Sequence, residues 1–248
     1  FRRVSLRLEL NFYSGKMSTL KIACATVNQT PLDWTGNLGH ITQAIEKAKS
    51  LKAEFICFPE LAITGYGSED LFLSYWYPQK ALKQLEQLIP YSNGITIAVG
   101  LPVRIQEKVY NCVAILEDQK VTGFVAKQFM AIDGVHYEFR WFTPWEHGKV
   151  VSFEFHGNQV PFGDLVLEKK GLKYGFEICE DAWRGKVRPG YRLKDRNVDI
   201  IFNPSASHFA MGKSLLREQL VNDSSRFFDA TYFYINLLGN EAGRMIFD

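Results

Sequence analysis

The stretch KYGFEICEDAW, residues 173–183, ends an apolar run on a cysteine, Cys179, and follows it at once with Glu180 and Asp181. A thiol attacks carbon efficiently only as the thiolate, and adjacent negative charge disfavours that form. The other cysteines, Cys24, Cys57 and Cys112, sit inside apolar, strand-like runs where a free cysteine behaves as a small buried hydrophobe. Cys179, at the edge of an acidic loop, is therefore the candidate nucleophile. It needs a base to take its proton and a cation to offset its neighbours. Two segments offer them. Glu60 follows an apolar strand and a proline in AEFICFPELAITGY, and Lys127 follows a buried strand in VTGFVAKQF. Read singly, Glu60 is a solvated loop carboxylate and Lys127 a lysine snorkelling from a strand end. Read together, carboxylate, ammonium and thiol complement one another and suit attack on an amide or nitrile carbon.

Such groups need a scaffold that delivers them to one place. Runs rich in branched residues predict strands at 20–26, 54–58, 95–100, 109–116, 120–126, 150–155, 164–168, 172–178, 199–203 and 232–238. Helical signals fall at 36–51, where Ile41, Ala44, Ile45 and Ala48 share a face, at 78–89 and at 213–229. That is too much strand for a helical bundle, so helices flank sheets in an α/β fold. Reactive groups in such folds gather beyond the carboxyl ends of strands, and residues 60, 127 and 179 each fall just past one. Residues 1–16 alternate polar and apolar ahead of Met17 and read as an N-terminal extension upstream of the native start, outside the fold argument. Residues 17–248 read as one domain, since no repeat, low-complexity tract or linker divides them.

At 46% hydrophobic content the chain can bury a sizeable core. Lys plus Arg number 29 against 27 for Asp plus Glu, a formal charge of +2, which argues against a nucleic-acid or anionic-membrane partner. No apolar run reaches the roughly 18 residues of a membrane span, and no signal-peptide pattern is present, so a cytoplasmic location is expected. The four cysteines form no C-x-x-C pair. His40, His136, His147, His156 and His208 show no metal-ligand spacing and read as scattered structural or surface residues. No metal or organic cofactor is expected at the Cys179 site.

The three segments, in this order and separated by 67 and 52 residues, resemble the glutamate, lysine and cysteine motifs of the nitrilase, or carbon-nitrogen hydrolase, superfamily. The resemblance runs from about Leu20 to Asp248. Within it, VNQTPLDWTGN, YEFRWFTPW, ICEDAW, NPSASHFAMGK and GRMIFD are similar to the amino-terminal glutaminase domain of glutamine-dependent NAD synthetases. The resemblance implies a four-layer α-β-β-α sandwich, with two mixed sheets flanked by helices, and a homo-oligomer. It implies that Glu60 is the general base, Lys127 the electrostatic stabiliser and Cys179 the nucleophile. Glu138 becomes a second glutamate that positions the lysine, and the Glu180 backbone N–H an oxyanion donor. The implied substrate is L-glutamine, held by Glu177, Ser207 and Lys213, while Asp133 stands where many relatives carry a tyrosine that touches glutamine.

The implied products are glutamate and ammonia, the ammonia feeding a separate synthetase domain that uses ATP and magnesium to amidate deamido-NAD. The SGGxDS phosphate loop of that domain is not in this chain, which is expected to be the ammonia-producing part of a longer protein, its domain cut short at the C-terminal end. Two other readings stay open. One is a free-standing amidase acting on another small amide. The other is a non-catalytic relative that binds or assembles, which would be expected to lose at least one of the three reactive residues.

Overall fold

The computed structural model describes residues 4–9, 19–241 and 245–248. In chain order the elements are β1 (Val4–Glu9), β2 (Lys21–Ala25), α1 (Trp34–Ser50), β3 (Phe55–Cys57), α2 (Trp76–Leu88), β4 (Thr96–Ile105), β5 (Lys108–Glu117) and β6 (Lys120–Ala126). There follow α3 (Glu138–Trp141), β7 (Val150–Phe155), β8 (Asn158–Gly163), β9 (Leu167–Lys169), β10 (Leu172–Phe176), α4 (Gly190–Asp195), β11 (Ile200–Ser205), α5 (Lys213–Phe228) and β12 (Thr231–Asn236). The chain closes on a hairpin, β13 (Gly239–Glu241) and β14 (Met245–Phe247).

Local chemistry sets the long elements. The Asp33 side chain caps α1 by accepting the Gly36 N–H at 2.9 Å, and the expected stripe of Ile41, Ala44, Ile45 and Ala48 is buried. The first sheet runs β1-β2-β3-β4-β5-β6-β8-β7 and the second β12-β11-β10-β9. Both are mixed. They face one another across a core that includes Ile22, Phe55, Val113, Tyr174, Phe202 and Ile235. Phe55 of one sheet stacks on Phe202 of the other with ring centroids 4.7 Å apart. Helices α1 and α2 cover the outer face of the first sheet, and α4 and α5 that of the second. This is the four-layer arrangement that the resemblance implied.

Some elements depart from the expectations. Within residues 1–16, kept out of the fold argument above, Val4–Glu9 pairs antiparallel with β2 as an edge strand. β4 continues past Gly100 through Pro102, which is tolerated because β3 pairs only with Thr96–Ala98 and leaves the rest of β4 bonded on one side. β8 and α4 were not expected. Pro161 interrupts the branched pattern in one, and the other, at six residues, is too short for a periodic stripe.

Candidate active site

Strand direction brings the first two reactive residues together. β3 runs parallel to β4, β5 reverses and β6 reverses again, so β3 and β6 end at the same edge of the sheet. Glu60 lies three residues past β3 and Lys127 directly past β6. The Glu60 loop lies hard against β4, where a side chain at Gly100 would come within 2.3 Å of the Leu61 backbone nitrogen. Cys179 arrives from the facing sheet, three residues past β10. All three are buried, as is Glu138 at the start of α3.

Lys127 Nζ donates to Glu60 Oε1 at 2.6 Å and to Glu138 Oε1 and Oε2 at 2.8 and 2.7 Å. An ammonium has three N–H groups, so all of them face carboxylates. Glu60 Oε1 also accepts from Asn111 Nδ2 at 2.7 Å, and its Oε2 accepts the Ala206 N–H at 2.9 Å. The Cys179 thiol lies close enough to the Glu60 carboxylate to pull its pKa down. Glu138 further accepts the Ala131 N–H at 2.8 Å and the Tyr66 hydroxyl at 2.7 Å.

Burial pushes the Cys179 thiol well above its ordinary value, and the Glu60 and Glu138 charges add to that, while Lys127 and the Ala206 N–H pull it down. Burial also raises Glu60, against the pull of Lys127. On Lys127 burial acts to lower the pKa, but Glu138 and Glu60 outweigh it and hold the ammonium firmly charged. The expected repulsion from Glu180 and Asp181 is corrected here. Asp181 turns away, accepting backbone N–H groups of Gln128 and Phe129 at 3.0 and 2.7 Å and of Ile178 at 2.9 Å. Glu180 pairs with Arg184 at 2.8 Å. The carboxylates that oppose the thiolate are the catalytic candidates themselves.

Cys179 has a left-handed backbone, φ 48°. Strand alternation turns Phe176 and Ile178 into the core between the sheets and Glu177 out of it, and would send residue 179 out as well. The positive φ breaks that alternation and brings the thiol inward.

Glu177 is a second correction. Its Oε1 accepts from Arg188 Nε at 2.9 Å and Gly190 N at 2.6 Å, and its Oε2 from the Tyr232 hydroxyl at 2.9 Å and from Arg188 Nη2. The side chain is fully buried against α4, away from the thiol, so it anchors the second sheet and does not face a substrate. Of the other expected binding residues, buried Ser207 follows Ala206 and accepts from Arg217 Nη2 on its Oγ at 3.3 Å, and the Lys213 ammonium feels both Cys179 and Asp133. Glu180 also feels Asp133 and Lys127. His136 and His208 are not scattered, for their rings are joined at 3.0 Å between Nε2 and Nδ1. Asn111, Ala206 and Tyr66 were missed, although Ala206 stands at a strand end, directly past β11, and Tyr66 in the ITGY turn.

A buried glutamate–lysine–cysteine cluster at the facing ends of two sheets is a site for attack on a carbon–nitrogen bond, and the chain belongs to the carbon-nitrogen hydrolase family, whose model matches residues 21–246. A crystal structure of a glutamine-dependent NAD(+) synthetase from Cytophaga hutchinsonii is similar at 48% identity with a TM-score of 0.87, covering 93% of this chain and 38% of that one. The corresponding Acinetobacter baumannii enzyme, in complex with adenosine diphosphate, is similar at 27% identity and TM-score 0.78, over 92% of this chain and 40% of that one. The Homo sapiens glutamine-dependent NAD(+) synthetase is 32% identical over 242 residues, 92% of this chain and 34% of that protein. The chain thus spans about a third of the length of the curated relatives it matches.

Proposed function

We propose that this chain hydrolyses the side-chain amide of L-glutamine to glutamate and ammonia, as the glutaminase part of a glutamine-dependent NAD synthetase. The observation that carries the reading is the buried cluster of Cys179, Glu60 and Lys127, with the thiol interacting electrostatically with Glu60 and the Lys127 ammonium 2.6 Å from the same carboxylate. Glu60 accepts the thiol proton as sulfur attacks the amide carbon. The tetrahedral oxyanion is met by Lys127 and the Glu180 backbone N–H, each such donor being worth about 3 kcal/mol of barrier. Glu60 then protonates the departing ammonia, and a glutamyl thioester remains. Water activated by Glu60 hydrolyses it. Charges that interact with the cluster suit the zwitterionic end of glutamine, with Glu180 and Asp133 for its ammonium and Lys213 for its carboxylate. The ammonia would supply amidation of deamido-NAD in a synthetase part that uses ATP and magnesium, a role to which no residue here is assigned.

Replacing the nucleophile tests this. Cys179→Ala should abolish ammonia release from glutamine at unchanged thermal stability, whereas steady turnover by that variant would overturn the assignment. In the same assay, wild-type protein that prefers another small amide over glutamine would make the chain a different amidase.

A further inference from the structure

Three groups beside the triad have no part in that mechanism: the Tyr66 hydroxyl and the rings of His136 and His208. They form a continuous path of contacts from Glu138 out to Lys213. Tyr66 OH donates to Glu138 Oε1 at 2.7 Å and lies 2.9 Å from His136 Nδ1. His136 Nε2 lies 3.0 Å from His208 Nδ1, and Lys213 Nζ stands 3.5 Å from that same nitrogen. The His136 ring is packed edge-on against Tyr66, with centroids 5.3 Å apart. A backbone bridge between His208 and Phe247 ties the outer histidine to β14.

Counting protons gives the path a direction. A hydroxyl has one hydrogen, and a neutral imidazole has one N–H. Tyr66 spends its hydrogen on the carboxylate, so its oxygen accepts from His136, which carries its proton on Nδ1. His136 Nε2 is then an acceptor and takes a hydrogen bond from His208 Nδ1–H. Every donor points toward Glu138. The reverse setting, with His208 Nδ1 accepting from Lys213, turns His136 to Nε2–H and swings the Tyr66 hydrogen away from Glu138.

We propose that His136 and His208 are positioning residues, a one-way hydrogen-bond relay of Nδ1–H tautomers that aims Tyr66 at Glu138, with Lys213 as the competing donor at its outer end. The consequence falls on Lys127. Its three N–H groups are all committed to Glu60 and Glu138. Tyr66 donates to the same Glu138 Oε1 that accepts from Lys127, so the relay fixes the carboxylate that holds the Lys127 ammonium in place. A substrate carboxylate that draws Lys213 to itself removes the donor competing at His208 Nδ1 and locks the productive direction. This last step rests on the glutaminase reading, whereas the tautomers do not.

Charges around the pair fit a neutral relay. His136 faces Glu138, Lys127, His208 and Asp133, and burial holds its pKa down to about 4. His208 faces Lys213, Asp133, Arg217 and Asp248, and its pKa is lowered by burial and by Lys213. The direction of donation, not a change of charge, therefore carries the coupling.

The test has a spectroscopic arm and a kinetic one. Long-range nitrogen–proton correlation spectra of the 15N-labelled wild-type protein should show both rings as Nδ1–H with a bare Nε2, and His136 found as Nε2–H would overturn the relay whether or not glutamine is the substrate. His208→Ala should release the tautomer preference of His136 and lower kcat by about tenfold, the size expected for one well-placed hydrogen bond, with a smaller change in KM. His208→Asn, whose amide can donate in place of Nδ1–H, should restore most of kcat. Equal losses in the two variants, or an unchanged kcat in His208→Ala, would sink the proposal.

Discussion

Cys179 is a poor nucleophile at rest, and its surroundings make that a property of the site. Burial comes first among the causes, and the two carboxylates that hold Lys127 come with it. The proton therefore leaves for Glu60 as sulfur bonds to carbon, and no standing thiolate is exposed to oxidants. The thiolate ultraviolet absorbance of wild type minus Cys179→Ala should accordingly show no titration step below about pH 9, the ordinary thiol value. A step near neutrality would mean that Lys127 outweighs burial. The residue types were legible in the sequence, because thiol, carboxylate and ammonium at three strand ends have few other joint uses. Which charge touches the thiol was not. Glu180 and Asp181 are neighbours along the chain that turn aside in space, while Glu60 and Glu138 come from other segments. Glu177 could have been read correctly, since strand alternation alone turns it away from the core that holds Phe176 and Ile178.

At the level of elements, Asp181 does the joining. One carboxylate accepts N–H groups from the loop after β6 and from the chain just before Cys179, so it fixes the Lys127 segment against the nucleophile turn. Its burial pushes the pKa up to about 8, with the two loops' N–H groups pulling the other way. Asp181→Ala leaves three backbone donors without acceptors and should cost about 3 kcal/mol in urea unfolding, with kcat falling further than stability accounts for. Asp181→Asn keeps one oxygen for Gln128 and Phe129 and should lose about half as much. Equal stability of Asp181→Ala and wild type would show that the clamp holds nothing. None of this joining shows in hydrophobic periodicity, which finds the long, one-sided helices α1 and α2 and the branched strands. It does not find a six-residue helix such as α4, a strand broken by Pro161, or a carboxylate that bridges two loops.

The whole molecule brings its C-terminal hairpin back onto the first reactive loop. Four layers were implied by resemblance and by alternating strand and helix signals, but strand order and the return of the chain depend on long-range packing that no local pattern encodes. Glu241, at the end of β13, accepts the Gly67 N–H at 2.6 Å, and so steadies the loop that carries both Glu60 and the relay tyrosine. Its other oxygen, Oε1, is buried without a hydrogen-bond partner among the described residues. Burial accordingly raises its pKa from 4.5 to about 7. The folded state then holds this proton more tightly than the unfolded chain does, so the stability it contributes is fully present below pH 4.5 and is lost as pH rises through 7. The full swing is on the order of 3 kcal/mol. Glu241→Gln cannot ionise and removes that dependence. Urea unfolding of the two proteins at pH 5 and pH 8 should show the glutamine variant gaining on wild type toward pH 8, by about 2 to 3 kcal/mol of relative stability. A difference between them that stays constant with pH would mean that Glu241 keeps the same affinity for its proton folded and unfolded, and that the hairpin steadies the loop through its backbone alone.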